Sequence, residues 1–569
     1  MLPYRVIALA TIATSVSASN FTSSDNLNGW YPCSEYTFSD TGSSTGQIAQ
    51  CAVYNAPLCY PGICETPEDV NPEVDIFVKQ LPATVDPDTA PNLWLLPGGP
   101  GDSSALMEYD MITLHSMLEG AVNVYTMDHR GTGRSTRFDC VAAQSTTTAS
   151  PNGDEFDPVE VPACAKDIHI KYGEDLASFS VTTAATDVAT FISKYTNGKS
   201  TIVYGVSYGT LVIERLMHLA PPVVTGYILD SVIATSGSVD EFYYYSKWDS
   251  NFGEVGDAFL ALCEDDKSCK TRFQTSGLNS TLQNLIDDFD KNPTSTCAAL
   301  VNKSVGFDNT PSLGLRRALG LALMHPDLRT LIPPVVYRLV RCSPNDVDVL
   351  TQFLTLVVKN DEAKFQDSAF QSALLYSLII YSEMWESPLP SIPELKARYT
   401  NSKMSSAKPD YVPGPLYCAF SKEKSKSCDE FKVDNYDADG IVYKRDQYWN
   451  KTVTIPSQAS VLVMNGKLDP QTPYKYAKAF FNSLKGVKKE LVAFDYAPHL
   501  AIALPCGVEV IASYVRNGGD LTRLDKSCVN NMPAFNLTSP DNYLGNYFGT
   551  KDAYDGVFNS TLASSYIIK

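Results

Sequence analysis

Ser200-Thr201-Ile202-Val203-Tyr204-Gly205-Val206-Ser207-Tyr208-Gly209-Thr210-Leu211 is the stretch whose reading decides the fold. Thr201 to Tyr204 are β-favouring and read as a buried strand. A Gly-x-Ser-x-Gly turn follows, and Leu211 to Leu219 reads as a helix stopped by Pro221 and Pro222. Strand, tight turn and helix together make a nucleophile elbow. Its backbone is strained at the serine, and a side chain at either flanking glycine would clash. Ser207 then presents its hydroxyl at the mouth of a sheet. A second match, Gly42-Ser43-Ser44-Thr45-Gly46, lies in a polar run with no strand before it and no helix after it, so Ser44 reads as a loop residue.

Working outward, the 569-residue chain is long enough for more than one structural unit. At the N-terminus one arginine, the apolar run Val6 to Ala13 and Val16-Ser17-Ala18 read as a secretory signal over residues 1–18, too short to span a bilayer. No later stretch is apolar and long enough to do so, and the last residues carry no hydrophobic tail for a lipid anchor. The fourteen cysteines of an exported chain imply up to seven disulfides. Sequence neighbours suggest Cys33–Cys51, Cys59–Cys64, Cys140–Cys164 and Cys263–Cys269. No Cys/His spacing suits a metal, and no cofactor is expected. Acceptors at Asn20, Asn279, Asn302, Asn450, Asn536 and Asn559 agree with a secreted glycoprotein. A net charge of −19 argues against nucleic acid or anionic membrane as partner.

Taken in order, residues 19–70 read as a Cys-rich extension. Residues 71–235 form the first part of a core, whose first strand carries Val74, Ile76 and Val78. Strands over Asn92–Leu96, Val122–Met127 and Val224–Leu229 alternate with helical segments, which implies an α/β fold with a mostly parallel sheet covered on both faces. Over 236–456 strand patterning nearly vanishes. Helical spacing appears instead at Leu315–Leu323, Val349–Val357 and Ala369–Met384, so this is a helical cap. The core resumes over 457–535, with strands Ser460–Met464 and Glu490–Phe494, and 536–569 reads as a polar tail.

A serine hydroxyl needs a base, and the base needs a partner to hold its tautomer. Of six histidines, only His499 follows a late strand at the sheet's carboxyl edge. Asp469, directly after a buried strand, and Asp495, four residues before the histidine, are the candidates for the acid; the chain order Ser207, Asp469, His499 favours Asp469. For the oxyanion, the N–H of Tyr208 is one donor. Gly98 or Gly99 in Pro97-Gly98-Gly99-Pro100-Gly101 offers the other, Gly99 being preferred, since the prolines have no N–H. Asp128 and Arg130 read as architectural.

Gly98-Gly99-Pro100-Gly101, Asp128-x-Arg130-Gly131-x-Gly133-x-Ser135, Gly205-x-Ser207-Tyr208-Gly209, Gly466-x-x-Asp469-x-x-Thr472-Pro473 and His499 together resemble the α/β-hydrolases, in particular the prolyl and tripeptidyl aminopeptidases. The segments Trp30–Cys51 and Phe259–Cys269, with Cys506, resemble the secreted tripeptidyl subgroup. Leu96-Pro97 and Pro498 depart from the usual His before the glycines and Gly before the catalytic histidine. The resemblance implies a serine exopeptidase acting on peptides with a free N-terminus, with cap carboxylates holding the amino group. Acidic residues early in the cap, Asp240 and Glu241 with Asp249, are the candidates for that role, against the competing reading that they are solvated surface charge. A carboxylesterase or lipase could use the same triad, and a silent hydrolase fold could serve as a binding protein.

Overall fold

The computed structural model describes residues 26–38, 41–42, 44–140, 156–305, 310–361, 365–406, 412–433 and 435–565. The expected secretory signal and the acceptor Asn20 lie outside them. Among the described residues one nine-stranded sheet is formed by β1 (Tyr31–Ser34), β2 (Ile48–Pro57), β3 (Glu73–Leu81), β4 (Asn92–Leu96), β5 (Asn123–Met127), β6 (Thr201–Val206), β7 (Val224–Asp230), β8 (Ser460–Gly466) and β9 (Lys489–Phe494). Its order is β1-β2-β3-β5-β4-β6-β7-β8-β9. From β5 to β9 all neighbours are parallel, whereas β1, β2 and β3 run antiparallel.

The parallel strands are apolar because both faces are covered. Every residue of β4 is buried. Leu93 and Leu95 face one layer with Ile202 and Tyr204, while Trp94 and Leu96 face the other with Val203. The register pairs Leu96 with Gly205, Val206 with Asp230, and Asp230 with Met464. The Pro97–Asp102 loop, Ser207 and Asp230 therefore emerge along one carboxyl edge, where ligands of such sheets bind.

The sheet begins earlier than expected. β1 and β2 lie inside the Cys-rich extension, and β2 pairs with β3 from Gln50↔Gln80 to Pro57↔Glu73. The Cys33–Cys51 disulfide staples β1 to β2. The four neighbouring disulfides form as expected, and Cys297–Cys342, Cys418–Cys428 and Cys506–Cys528 complete seven. No helix among the described residues is long and apolar enough to cross a membrane.

Between β7 and β8 the described chain is helical and builds a core of its own, into which helices Pro311–Leu323 and Pro344–Asp361 pack. Helix Ala373–Glu383 joins the sheet's core instead. It starts later than the apolar run suggests, because the Ser372 side chain caps it by accepting the N–H of Leu375, and Gln366–Phe370 forms a separate turn. The closing segment is no solvated tail. Leu537, Leu544, Tyr547 and Phe548 are buried against the inserted helices, and Arg338 donates to the carbonyl of Ala553 at 2.7 Å. Apolar residues spaced among polar ones concealed this long-range packing.

Candidate active site

At the end of β6 the chain turns sharply. Ser207 has φ 53° and ψ −120°, a conformation that side chains rarely adopt, and the elbow helix runs from Tyr208 to Leu219. The helix thus begins one turn before the sequence pattern suggests. Close approach explains the flanking glycines: a Cβ at Gly205 would lie 2.5 Å from the carbonyl oxygen of Gly209, and one at Gly209 would lie 2.7 Å from that of Leu96. The loop after β4 lies directly against the serine, since a Cβ at Gly98 would be 3.3 Å from the Ser207 Cβ. Gly99, at φ +109°, lines the same cavity as Ser207. As first residue of the elbow helix, Tyr208 has an N–H with no acceptor inside the helix.

His499 follows β9, and its Nδ1 lies 2.8 Å from Asp469 Oδ2. Asp469 is fully buried. It accepts the N–H groups of Gln471 and Thr472 at 2.9 Å each and the Thr472 hydroxyl at 2.7 Å. A carboxylate so held is oriented before any substrate arrives, and it keeps the His499 proton on Nδ1, leaving Nε2 as the basic nitrogen. Asp495 takes no part: it is exposed and pairs with Lys467 at 2.6 Å. Asp128 and Arg130 are structural but not paired to each other. Asp128 accepts from Ser104 and Arg134, and Arg130 forks onto Asp187 with both contacts at 2.7 Å.

Asp230, at the end of β7, joins these parts. Its carbonyl accepts the N–H of Ser207, and its carboxylate accepts those of Ala501 and Ile502, just beyond His499. Ser231 Oγ accepts the N–H of Leu500. Burial raises the Asp230 carboxyl, and the two N–H groups oppose that shift.

A cavity of about 380 Å³ opens above Ser207, and Gly99, Asp102, Tyr245, Gln371 and Tyr376 are in its wall. Asp102 is the one charged side chain lining it among the described residues. Burial, reinforced by the Asp367 charge, pushes its carboxyl up to about 6, against a hydrogen bond from Gln371. The expected amine carboxylates are elsewhere. Asp240 and Glu241 stand exposed in the short turn Val239–Glu241 and do not reach the cavity. Asp249 is buried among the inserted helices, where it accepts the Ser405 hydroxyl at 2.6 Å. Sequence reading missed Asp102 and Gln371. Two signals were present: Asp102 directly follows Gly98–Gly101, and the helix after Gln371 is apolar on every face, so part of it can wall a cavity.

Sheet order, elbow and the late histidine define an α/β-hydrolase fold. Residues 425–528, which include Asp469 and His499, match a family model described as TAP-like protein, of the Abhydrolase_4 kind. No curated protein matches. Among solved structures, the chain is similar to an esterase from Exiguobacterium antarcticum at 12% identity, over 78% of this chain and 96% of that one, with a TM-score of 0.30. It is likewise similar to the juvenile hormone epoxide hydrolase of the silkworm Bombyx mori at 12% identity, over 82% and 78%, with a TM-score of 0.30. A monoacylglycerol lipase from Paleococcus ferrophilus is similar at 14% identity, over 76% and 96%, with a TM-score of 0.27. At such scores the likeness bears no weight in assigning a reaction.

Proposed function

We propose that the protein is a secreted serine exopeptidase that removes residues from the free N-termini of peptides. In this reading Ser207 Oγ attacks the carbonyl carbon of the scissile amide while His499 Nε2 takes its proton. Asp469 stabilises the imidazolium so formed, and the N–H groups of Gly99 and Tyr208 meet the oxyanion. Collapse of the tetrahedral species expels the amine, which leaves with the proton from His499. Water, deprotonated by the same nitrogen, then attacks the acyl-enzyme and regenerates Ser207.

The observation that carries the peptidase reading is Asp102, the one charged side chain among the described residues that line the cavity beside Ser207. A fixed negative charge there favours a substrate with an ammonium group, and it replaces Asp240 and Glu241 in that role. Seven disulfides suit an extracellular protein. An esterase would share the triad but have no use for the charge at Asp102. Hydrolysis of a tripeptidyl aminocoumarin, with and without an N-acetyl group, separates the two. Turnover of the free form alone supports the exopeptidase. Equal turnover of both, or cleavage only of short esters, supports the esterase. Absence of any turnover, with no labelling by a fluorophosphonate, marks a silent fold.

A further inference from the structure

A second, larger cavity of about 860 Å³ lies beside the one above Ser207. The two share Tyr245, Trp248, Ala373, Tyr376, Ile380 and Gln471, so they adjoin across one set of side chains. Asp102 and Ser207 line only the smaller chamber. Its size is at the upper end of ordinary ligand sites, far more than a single departing amino acid requires.

The wall between the chambers is built of interlocked rings. Tyr245 packs against Trp248 with centroids 4.9 Å apart, meets Tyr376 edge-on at 5.8 Å, and stacks near Trp385 at 6.4 Å. Trp385 in turn meets Tyr381 edge-on at 5.2 Å. Rings that fix one another present a stiff aromatic surface, which binds flat peptide groups and prolines at little entropic cost.

The charged groups of the larger chamber are already engaged. Arg317 pairs with Asp361 at 2.7 Å, and Asp157 accepts the N–H of Val159 at 2.9 Å. Among the described residues that line it, Arg317 is the one cation and is paired, so none is left over for an anionic lipid head, whereas Ser377, Ser406 and Gln471 intersperse hydrogen-bonding groups along the apolar wall.

From this geometry we infer that the larger chamber is the binding site for the leaving part of the substrate, and that the natural substrates are oligopeptides with several uncharged residues beyond the cut. The inference rests on the exopeptidase reading: with the amino group at Asp102 in the smaller chamber, the chain beyond the scissile bond leaves Ser207 past the side chains that the two chambers share and lies in the larger one.

The test compares a tripeptidyl aminocoumarin with the same tripeptide extended by four uncharged residues. Leu416 and Met324 line only the larger chamber and are partly exposed, so Leu416→Trp and Met324→Trp each obstruct it from its rim. Two readouts are taken: kcat/KM of the active protein, and calorimetric binding of each peptide to Ser207→Ala. Extension is expected to raise kcat/KM about tenfold through KM and to tighten binding to Ser207→Ala about equally. Each tryptophan removes that gain and leaves the aminocoumarin within twofold. Efficient cleavage with no length dependence, or a gain that survives both tryptophans, overturns the inference and spares the exopeptidase reading. Length-dependent, tryptophan-sensitive binding to Ser207→Ala without cleavage by the active protein does the reverse. Tight binding of a fatty acyl ester in place of the extended peptide overturns the inference too.

Discussion

The carbonyl oxygen of Asp230 accepts the N–H of Ser207 at 2.9 Å, while the Asp230 carboxylate holds the two N–H groups that follow Leu500. One residue at the tip of β7 therefore sets the spacing between nucleophile and base from both ends. In Asp230→Asn one of the two N–H groups faces an amide NH₂ rather than an oxygen. A buried donor left unsatisfied costs about 1–3 kcal/mol, and thermal unfolding should register that loss. Displacement of His499 should lower kcat roughly 10- to 100-fold while KM stays near its original value. A parallel loss in KM would mean that Asp230 acts on the substrate cavity instead.

Asp469→Asn keeps the shape of the site but offers an NH₂ where the imidazole N–H is received, which favours the wrong tautomer of His499. A fall in kcat of roughly 10⁴-fold is expected. Asp495→Asn should leave kcat within twofold, because that side chain is exposed and pairs with Lys467 rather than with His499.

The pH dependence of KM reports on Asp102. Its carboxyl is pushed up to about 6 by burial and by the Asp367 charge, so it is an anion above that pH and protonated below it. An ammonium group is held only by the anion. KM for free-amine peptides should therefore rise as pH falls through about 6, while KM for an acetylated peptide should not. In Asp102→Asn, KM should be high and flat. Loss of one charge-assisted contact corresponds to roughly a 10- to 100-fold rise at pH 7.5.

Ser207 sits at a positive φ that glycine adopts freely. Ser207→Gly should abolish turnover yet raise thermal stability, with strain of roughly 1–3 kcal/mol relieved. Ser207→Ala, which keeps the Cβ and the strain, should be equally inactive without that gain. The difference between the two melting temperatures isolates the strain held at the elbow.

The elbow was legible because its signal is local: a short apolar strand, two glycines where main chains touch, and a helix. The strands ending at Asp230, Gly466 and Phe494 were legible as buried apolar runs, and the disulfides between near neighbours followed from short loops. Non-local facts were not. β1 reads Tyr31-Pro32-Cys33-Ser34, an edge strand without an apolar face, and only its pairing with β2 makes it a strand. Acidic residues are abundant, and their spacing does not say which one turns into the cavity. Asp240 and Glu241 face water, while Asp102, set by the turn of the glycine loop, lines the cavity above Ser207.

Covalent trapping on Ser207 tests the central claim most directly. The protein is mixed with a tripeptidyl p-nitrophenyl ester bearing a free amine, quenched in acid within milliseconds, and the peptide containing Ser207 is weighed. The account predicts a tripeptidyl adduct on Ser207, its absence in Ser207→Ala, and much weaker trapping of the N-acetylated ester. An adduct on another residue, or no adduct while the ester is rapidly hydrolysed, would contradict it.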